Sequence, residues 1–128
     1  MKKIIDTDRA PKAIGPYSQA VAVDDYIFTA GQIAIIPQTN TLVQGNVTAQ
    51  TRQVLENLKA VIEAAGATVA SVVKTTVYLT KPEDFAVMND VYAEYFNNEP
   101  PARSTVFVTA LPKGALVEID IIAKILRH

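Results

Sequence analysis

Polar and apolar positions alternate or recur along this chain in two distinct periods, and the change of period divides it into elements. Ala20 to Val23 and Tyr26 to Gly31 are short β-prone runs parted by Asp24-Asp25, which predicts a hairpin, approached through the turn-like Gly15-Pro16. Pro37 to Gly45 reads as a loop. From Asn46 the spacing becomes helical: Val54, Leu55, Leu58, Val61, Ile62 and Ala65 line one side, and Arg52, Glu56, Lys59 and Glu63 the other. Asn46 is placed to cap this helix and Gly66 to end it. A second helix is predicted after Thr80-Lys81-Pro82-Glu83. There Thr80 and Glu83 have capping-box spacing and Pro82 lies in the first turn, with Phe85, Met88, Tyr92, Tyr95 and Phe96 as the apolar stripe.

Three more strands are predicted over Val72 to Leu79, Arg103 to Val108 and Val117 to Ile125, the last two as a hairpin across Leu111 to Leu116. In the final strand Val117, Ile119, Ile121, Ala123 and Ile125 form a continuous apolar face, which is read as core. Glu118, Asp120, Ile122, Lys124 and Leu126 form the opposite face. The same mixture puts Phe107 beside Arg103 and Thr105, and Tyr78 beside Lys74 and Thr76. Two helices cover one side of such a sheet, so this second, half-apolar side is expected to be buried against neighbouring subunits, with polar residues held in the clefts between them.

Composition narrows the chemistry. The 128 residues carry twelve Lys and Arg against thirteen Asp and Glu, a net charge of −1, so there is no basic footprint for nucleic acid. At 49% hydrophobic and 20% charged residues, one globular domain over residues 1–128 is expected. There is no cysteine, and the single histidine is His128. A thiol nucleophile, a disulfide framework, a multi-histidine metal site and a Ser-His-Asp triad therefore drop out, and acid–base work falls to Asp, Glu, Tyr or Lys. The glycines are too scattered for a dinucleotide fingerprint or a P-loop. No apolar stretch reaches membrane-spanning length and no signal-peptide core is present, so a cytoplasmic protein without membrane association is expected.

Four side chains stand out. Arg103 follows Pro100-Pro101-Ala102, which stiffens the start of its strand; its guanidinium is either a bidentate clamp for a small carboxylate or one half of an ion pair with Glu118 or Asp120. Glu118 interrupts a β-branched strand and is either a proton acceptor in a dry cleft or an ordinary exposed strand carboxylate. Tyr17 beside Gly15-Pro16 is a phenol donor at a cleft mouth or a packing residue with a wet hydroxyl. Asn89, within a turn of Phe85, Tyr92 and Phe96, faces inward to a ligand or to a loop backbone.

Taken together, Pro101-Ala102-Arg103-Ser104-Thr105-Val106 followed by Leu111-Pro112-Lys113-Gly114 and Val117-Glu118-Ile119 resembles the C-terminal signature of the RidA/YjgF family of reactive-intermediate deaminases. Ala13 to Ala20, Thr29 to Ile33 and Val73 to Val77 resemble the same family at matching intervals, so the resemblance spans nearly the whole chain. It implies a chorismate-mutase-like α+β fold, with a six-stranded mixed sheet carrying two helices on one face, assembled as a homotrimer with active sites in the intersubunit clefts. It also implies cofactor-free hydrolysis of 2-imino acids to 2-keto acids and ammonia, which protects pyridoxal-phosphate enzymes. By the same resemblance Arg103 holds the substrate carboxylate, Glu118 activates water, Tyr17 bounds the pocket, the main chain at Gly31 and Thr105 supplies polar contacts, and Asn89 lines the cleft. Two positions depart from the family pattern: Thr105 where many members have Cys, and Ala30 where many have Ser. Other readings are a noncatalytic carboxylate-binding trimer and, disfavoured by charge and the lack of internal histidine, a ribonuclease or translation inhibitor.

Overall fold

The computed structural model describes residues 1–127, so the reading of His128 lies outside the described residues. In chain order the elements are β1 (Lys3–Ile5), β2 (Ala20–Val23), β3 (Tyr26–Thr29), β4 (Ile35–Ile36), β5 (Thr41–Leu42), α1 (Val47–Ala64), β6 (Val72–Leu79), α2 (Phe85–Tyr95), β7 (Ala102–Phe107) and β8 (Val117–Lys124). Six of the strands form one mixed sheet in the order β1-β2-β3-β8-β6-β7, with β6 and β7 parallel and every other pair antiparallel. Among the described residues no helix is long and apolar enough to cross a membrane.

The predicted β2–β3 hairpin forms, with Asp24 in the left-handed region at its turn. Helix α1 starts and stops where the sequence says. The Asn46 side chain accepts from the Ala49 N–H at 3.0 Å, and Gly66, at φ +93°, lets the Gly66 and Ala67 N–H groups return to the carbonyls of Glu63 and Ile62. Its stripe packs Val54, Leu55, Leu58, Val61 and Ile62 against Val117, Ile119, Ile121 and Ala123 of β8, all nearly inaccessible to water.

Four expectations are corrected. Pro37 to Gly45 is not wholly loop, because Ile35–Ile36 and Thr41–Leu42 pair as a small antiparallel ribbon turned at Asn40, and the buried Asn57 amide donates to the Ile35 carbonyl at 2.9 Å to fix it on α1. Helix α2 has no side-chain cap; Pro82–Asp84 make a 3₁₀ turn, so the helix begins at Phe85, past the reach of a Thr80–Glu83 box. Phe85 leaves the buried stripe and is 36% exposed, its ring packed 6.4 Å from that of Phe107.

The largest correction concerns β7 and β8, which are not a hairpin. The β6-α2-β7 segment is a crossover unit, and such a unit returns its second strand parallel to the first, here on the outer edge of the sheet. The Leu111 to Leu116 connection then carries β8 past β6 into the centre, between β6 and β3. In consequence Arg103, Thr105 and Phe107, in register with Thr75, Val77 and Leu79, share the helix side of the sheet, not the second side. That second side carries Lys74, Thr76, Tyr78, Glu118, Asp120 and Ile122, and a row of Ile4, Val21, Phe28 and Ile122 crosses it through four strands.

Candidate functional site

Glu118 stands on the central strand β8, facing the open side of the sheet opposite Tyr78 of β6. On its other flank the chain leaving β3 is tied to β8 by one bridge, with the Gln32 N–H donating to the Ile119 carbonyl at 2.9 Å and the Ile119 N–H to the Gln32 carbonyl at 3.1 Å. This presses Gly31 against the Glu118 side chain. A Cβ at position 31 would lie 2.8 Å from the Glu118 carboxyl carbon and 3.2 Å from its Cγ. Gly31 is not among the positive-φ glycines, so its lack of a side chain serves the carboxylate and not a turn.

A cavity of about 430 Å³ opens at this point, and Ile14, Tyr17, Gly31, Ile33, Lys113 and Glu118 are among its walls. Tyr17 is 54% exposed at the mouth, and its hydroxyl accepts from the Ile14 N–H at 3.3 Å, which closes the Gly15-Pro16 turn on itself. The segment behind Tyr17 is held by Gln19, a buried amide that the sequence reading did not single out. Its Nε2 donates to the carbonyls of Thr7 and Pro11 at 3.0 and 2.8 Å, and its Oε1 accepts from the Thr7 N–H at 2.7 Å. Lys113 was also missed. It adopts φ +59° in the Pro112–Gly114 turn, and the Pro-Lys-Gly triplet is the only sequence cue to its place. Ala30 is not a wall residue; its N–H donates to the Gln19 carbonyl at 2.9 Å.

The pKa of the half-buried Glu118 carboxyl is raised from its ordinary value, chiefly because burial disfavours its charged form and secondarily because Asp120 lies beside it. Burial likewise raises Asp120, opposed by a hydrogen bond from the Tyr78 hydroxyl at 3.3 Å and by Lys74. A carboxyl whose folded pKa exceeds its unfolded value binds its proton more tightly when folded, so its contribution to stability is full at low pH and is lost as pH rises through the folded pKa. Asp120→Asn removes that loss. It is expected to raise the melting temperature at pH 7 by a few degrees at most, with the gain shrinking as pH falls through the folded pKa and vanishing only below the ordinary aspartate pKa; thermal scans from neutral to acid pH check it.

The other predicted residues lie elsewhere in the chain. Arg103 sits on edge strand β7 on the helix side, with its guanidinium carbon 4.7 Å from the Tyr92 ring centroid and 5.7 Å from that of Phe85. It makes no ion pair with Glu118 or Asp120, which occupy the opposite face. Thr105 follows on the same side of β7. Asn89 lies one helical turn from both Phe85 and Tyr92, and its Oδ1 is buried without a donor, so the loop backbone does not satisfy it. One chain therefore brings together Tyr17, Gly31 and Glu118 in the cavity, and Arg103, Thr105 and Asn89 at the sheet edge, but not the two sets with each other. Among the described residues no group of three or more His, Cys, Asp or Glu is placed to hold a metal ion.

Comparison with known proteins agrees on one lineage. Residues 7–125 match the family described as endoribonuclease L-PSP. A RutC family protein of Pyrococcus horikoshii is 55% identical over 123 residues, covering 96% of this chain and 98% of that one. The mouse 2-iminobutanoate/2-iminopropanoate deaminase is 46% identical over 123 residues, covering 96% and 91%. Among solved structures, Escherichia coli TdcF with bound serine superposes with a TM-score of 0.92 at 46% identity, over 95% of this chain and 98% of that one. RidA from an Antarctic Psychrobacter gives 0.92 at 47%, over 96% and 99%.

Proposed function

The chain belongs to the RidA/YjgF, or endoribonuclease L-PSP, family, and from that premise we propose that it hydrolyses reactive 2-imino acids to 2-keto acids and ammonia in the cytoplasm. The observation that carries the reading is Glu118. It is a half-buried carboxyl of raised proton affinity, seated against a glycine and opening into a cavity large enough for a small amino-acid-derived ligand. A carboxylate binder has no use for such a group, whereas a hydrolase needs a proton acceptor beside its water.

In this proposal the complete site takes the cavity of one copy and the β7 edge of another, in a homotrimer whose second sheet faces turn inward. The row Ile4, Val21, Phe28 and Ile122 supports that packing, since Ile4 and Phe28 are 53% and 43% exposed in one chain. Arg103 holds the substrate carboxylate through paired N–H donors, Asn89 and the Thr105 main chain line the same wall, and Tyr17 bounds the mouth. The protonated imine carbon is already electrophilic. Water attacks C2 while Glu118 takes its proton, forming a carbinolamine. The proton passes to nitrogen, the C–N bond breaks as the carbonyl forms, and the second hydroxyl proton leaves with ammonia as ammonium. Orientation, an anion clamp and one base suffice, with no cofactor in the scheme.

The test couples an amino-acid oxidase that generates 2-iminobutyrate to semicarbazone formation, which reports the imine left over. The wild-type protein, eluting at the mass of three chains, is expected to suppress the signal. Arg103→Ala is expected to raise KM about 30-fold, the scale of a lost charge-assisted hydrogen-bond pair. A wild-type assembly that leaves the signal untouched while binding 2-ketobutyrate would put the noncatalytic carboxylate-binding trimer in its place.

A further inference from the structure

Arg9, Arg52 and Arg127 each make an ion pair with a carboxylate, to Glu63, Glu94 and Asp25. Among the described residues Arg103 alone of the arginines has none, although it is half-buried. Two rings, those of Tyr92 and Phe85, lie within cation–π distance of its guanidinium. We propose that Tyr92 and Phe85 are positioning residues for the substrate-carboxylate clamp, fixing the Arg103 guanidinium by stacking where other arginines in this chain are fixed by a countercharge. The inference rests on the reading of Arg103 as that clamp and adds what aims it.

The physical distinction is what each partner consumes. A carboxylate partner occupies the in-plane N–H fork, so an incoming substrate carboxylate has to displace it. A ring attracts the cation through its π face and leaves the fork unoccupied and the charge uncancelled. The ring must itself be immobile for this to orient anything, and Tyr92 is. It is 6% exposed, packed 4.6 Å from the Phe96 ring, and its hydroxyl shares a buried 2.8 Å hydrogen bond with the Thr75 hydroxyl. Thr75 is wholly buried and is the register partner of Arg103 across β6 and β7. The support thus runs as a closed loop, from strand β6 through the Thr75–Tyr92 bond to the ring and back to Arg103 on the adjoining strand. Burial raises the Tyr92 phenol's pKa, against the smaller lowering effects of the Thr75 hydrogen bond and the nearby Arg103, so the ring stays neutral across the physiological range.

The experiment measures kcat and KM for 2-iminobutyrate, and Kd for 2-ketobutyrate by calorimetry. It uses wild type, Tyr92→Leu, Tyr92→Phe, Phe85→Ala and Arg103→Ala, with Tyr92→Leu and Phe85→Ala also combined with Arg103→Ala. Tyr92→Leu is expected to raise KM and Kd about tenfold and to move kcat by less than about twofold, the division that loss of ground-state carboxylate binding produces. Tyr92→Phe keeps the ring and is expected to stay within about twofold, and Phe85→Ala to cost about threefold. In the Arg103→Ala background both losses are expected to disappear, which a general packing defect would not do. Phe85 is partly exposed, so Phe85→Ala carries the test if Tyr92→Leu fails to assemble. Equal losses with and without Arg103, or no loss from either ring when Arg103→Ala alone raises KM, would overturn the positioning role and leave the clamp standing. An unchanged KM in Arg103→Ala would overturn both.

Discussion

Glu118→Gln is expected to lower kcat for 2-iminobutyrate by about a hundredfold to ten-thousandfold, the range of a removed general base, while Kd for 2-ketobutyrate changes by less than about threefold. The amide keeps the shape of the side chain that faces Gly31 and can still hold a water, so binding survives; it cannot accept the proton that the water must lose. The pH profile gives an independent check. A general base works only when ionised, and burial raises the Glu118 pKa, so the acid limb of wild-type kcat/KM is expected to lie at higher pH than an unperturbed glutamate would give. The residual activity of Glu118→Gln should lack that limb. A variant within tenfold of wild type, with its acid limb intact, would remove Glu118 from the water-activating role.

Gly31→Ala is the second large effect, and it acts through the same carboxylate from the other side. The methyl group would need the space that the Glu118 carboxyl carbon approaches to 2.8 Å, and both main chains there are locked by the Gln32–Ile119 bridge. The side chain must therefore swing away. Misplacement of a catalytic group by about 1 Å costs on the order of a hundredfold in rate, so kcat should fall about that far. Backbone φ at Gly31 is ordinary, so the folded state should tolerate alanine with a melting temperature close to wild type. Rate loss without thermal loss, measured on the same preparation, separates this mechanism from misfolding. Full activity in Gly31→Ala would mean that the carboxylate does not work from the position seen here.

The parts of this molecule that were legible in the sequence are those where one physical requirement dominates. Strand β8 runs through the middle of the sheet, so Val117, Ile119, Ile121 and Ala123 must all be apolar and the two-residue period is unbroken. Helix α1 shows its cap, its stripe and its glycine stop because each answers a separate local need. Strand β7 had no such signature. It lies at an edge, with all six residues from Ala102 to Phe107 exposed or half-exposed, so neither side had to be uniformly apolar. Its orientation follows from the β6-α2-β7 crossover, a long-range constraint that a short Leu111 to Leu116 connection disguised as a hairpin. The same limit hid the surroundings of Arg103. Tyr92 reads as one more residue of an apolar stripe, and only the register of Arg103 with Thr75 places the guanidinium over its ring. Gly31 and Glu118 stand far apart in the chain, and the family resemblance named both without supplying the steric contact between them.

The place of β8 in the strand order also governs how the chain can fold as it is made. Synthesis delivers β1, β2 and β3, then β6 and β7, before the strand that lies between these two groups. Until residues 117–124 leave the ribosome, β3 and β6 each present an unpaired edge, and α1 has no β8 surface on which to bury its stripe. Sheet closure is therefore a late, long-range event, and the nascent protein passes through a stage in which two half-built sheets with open edges are exposed to the cell. Its need for chaperone cover should be concentrated in that interval, before the last strand enters the centre.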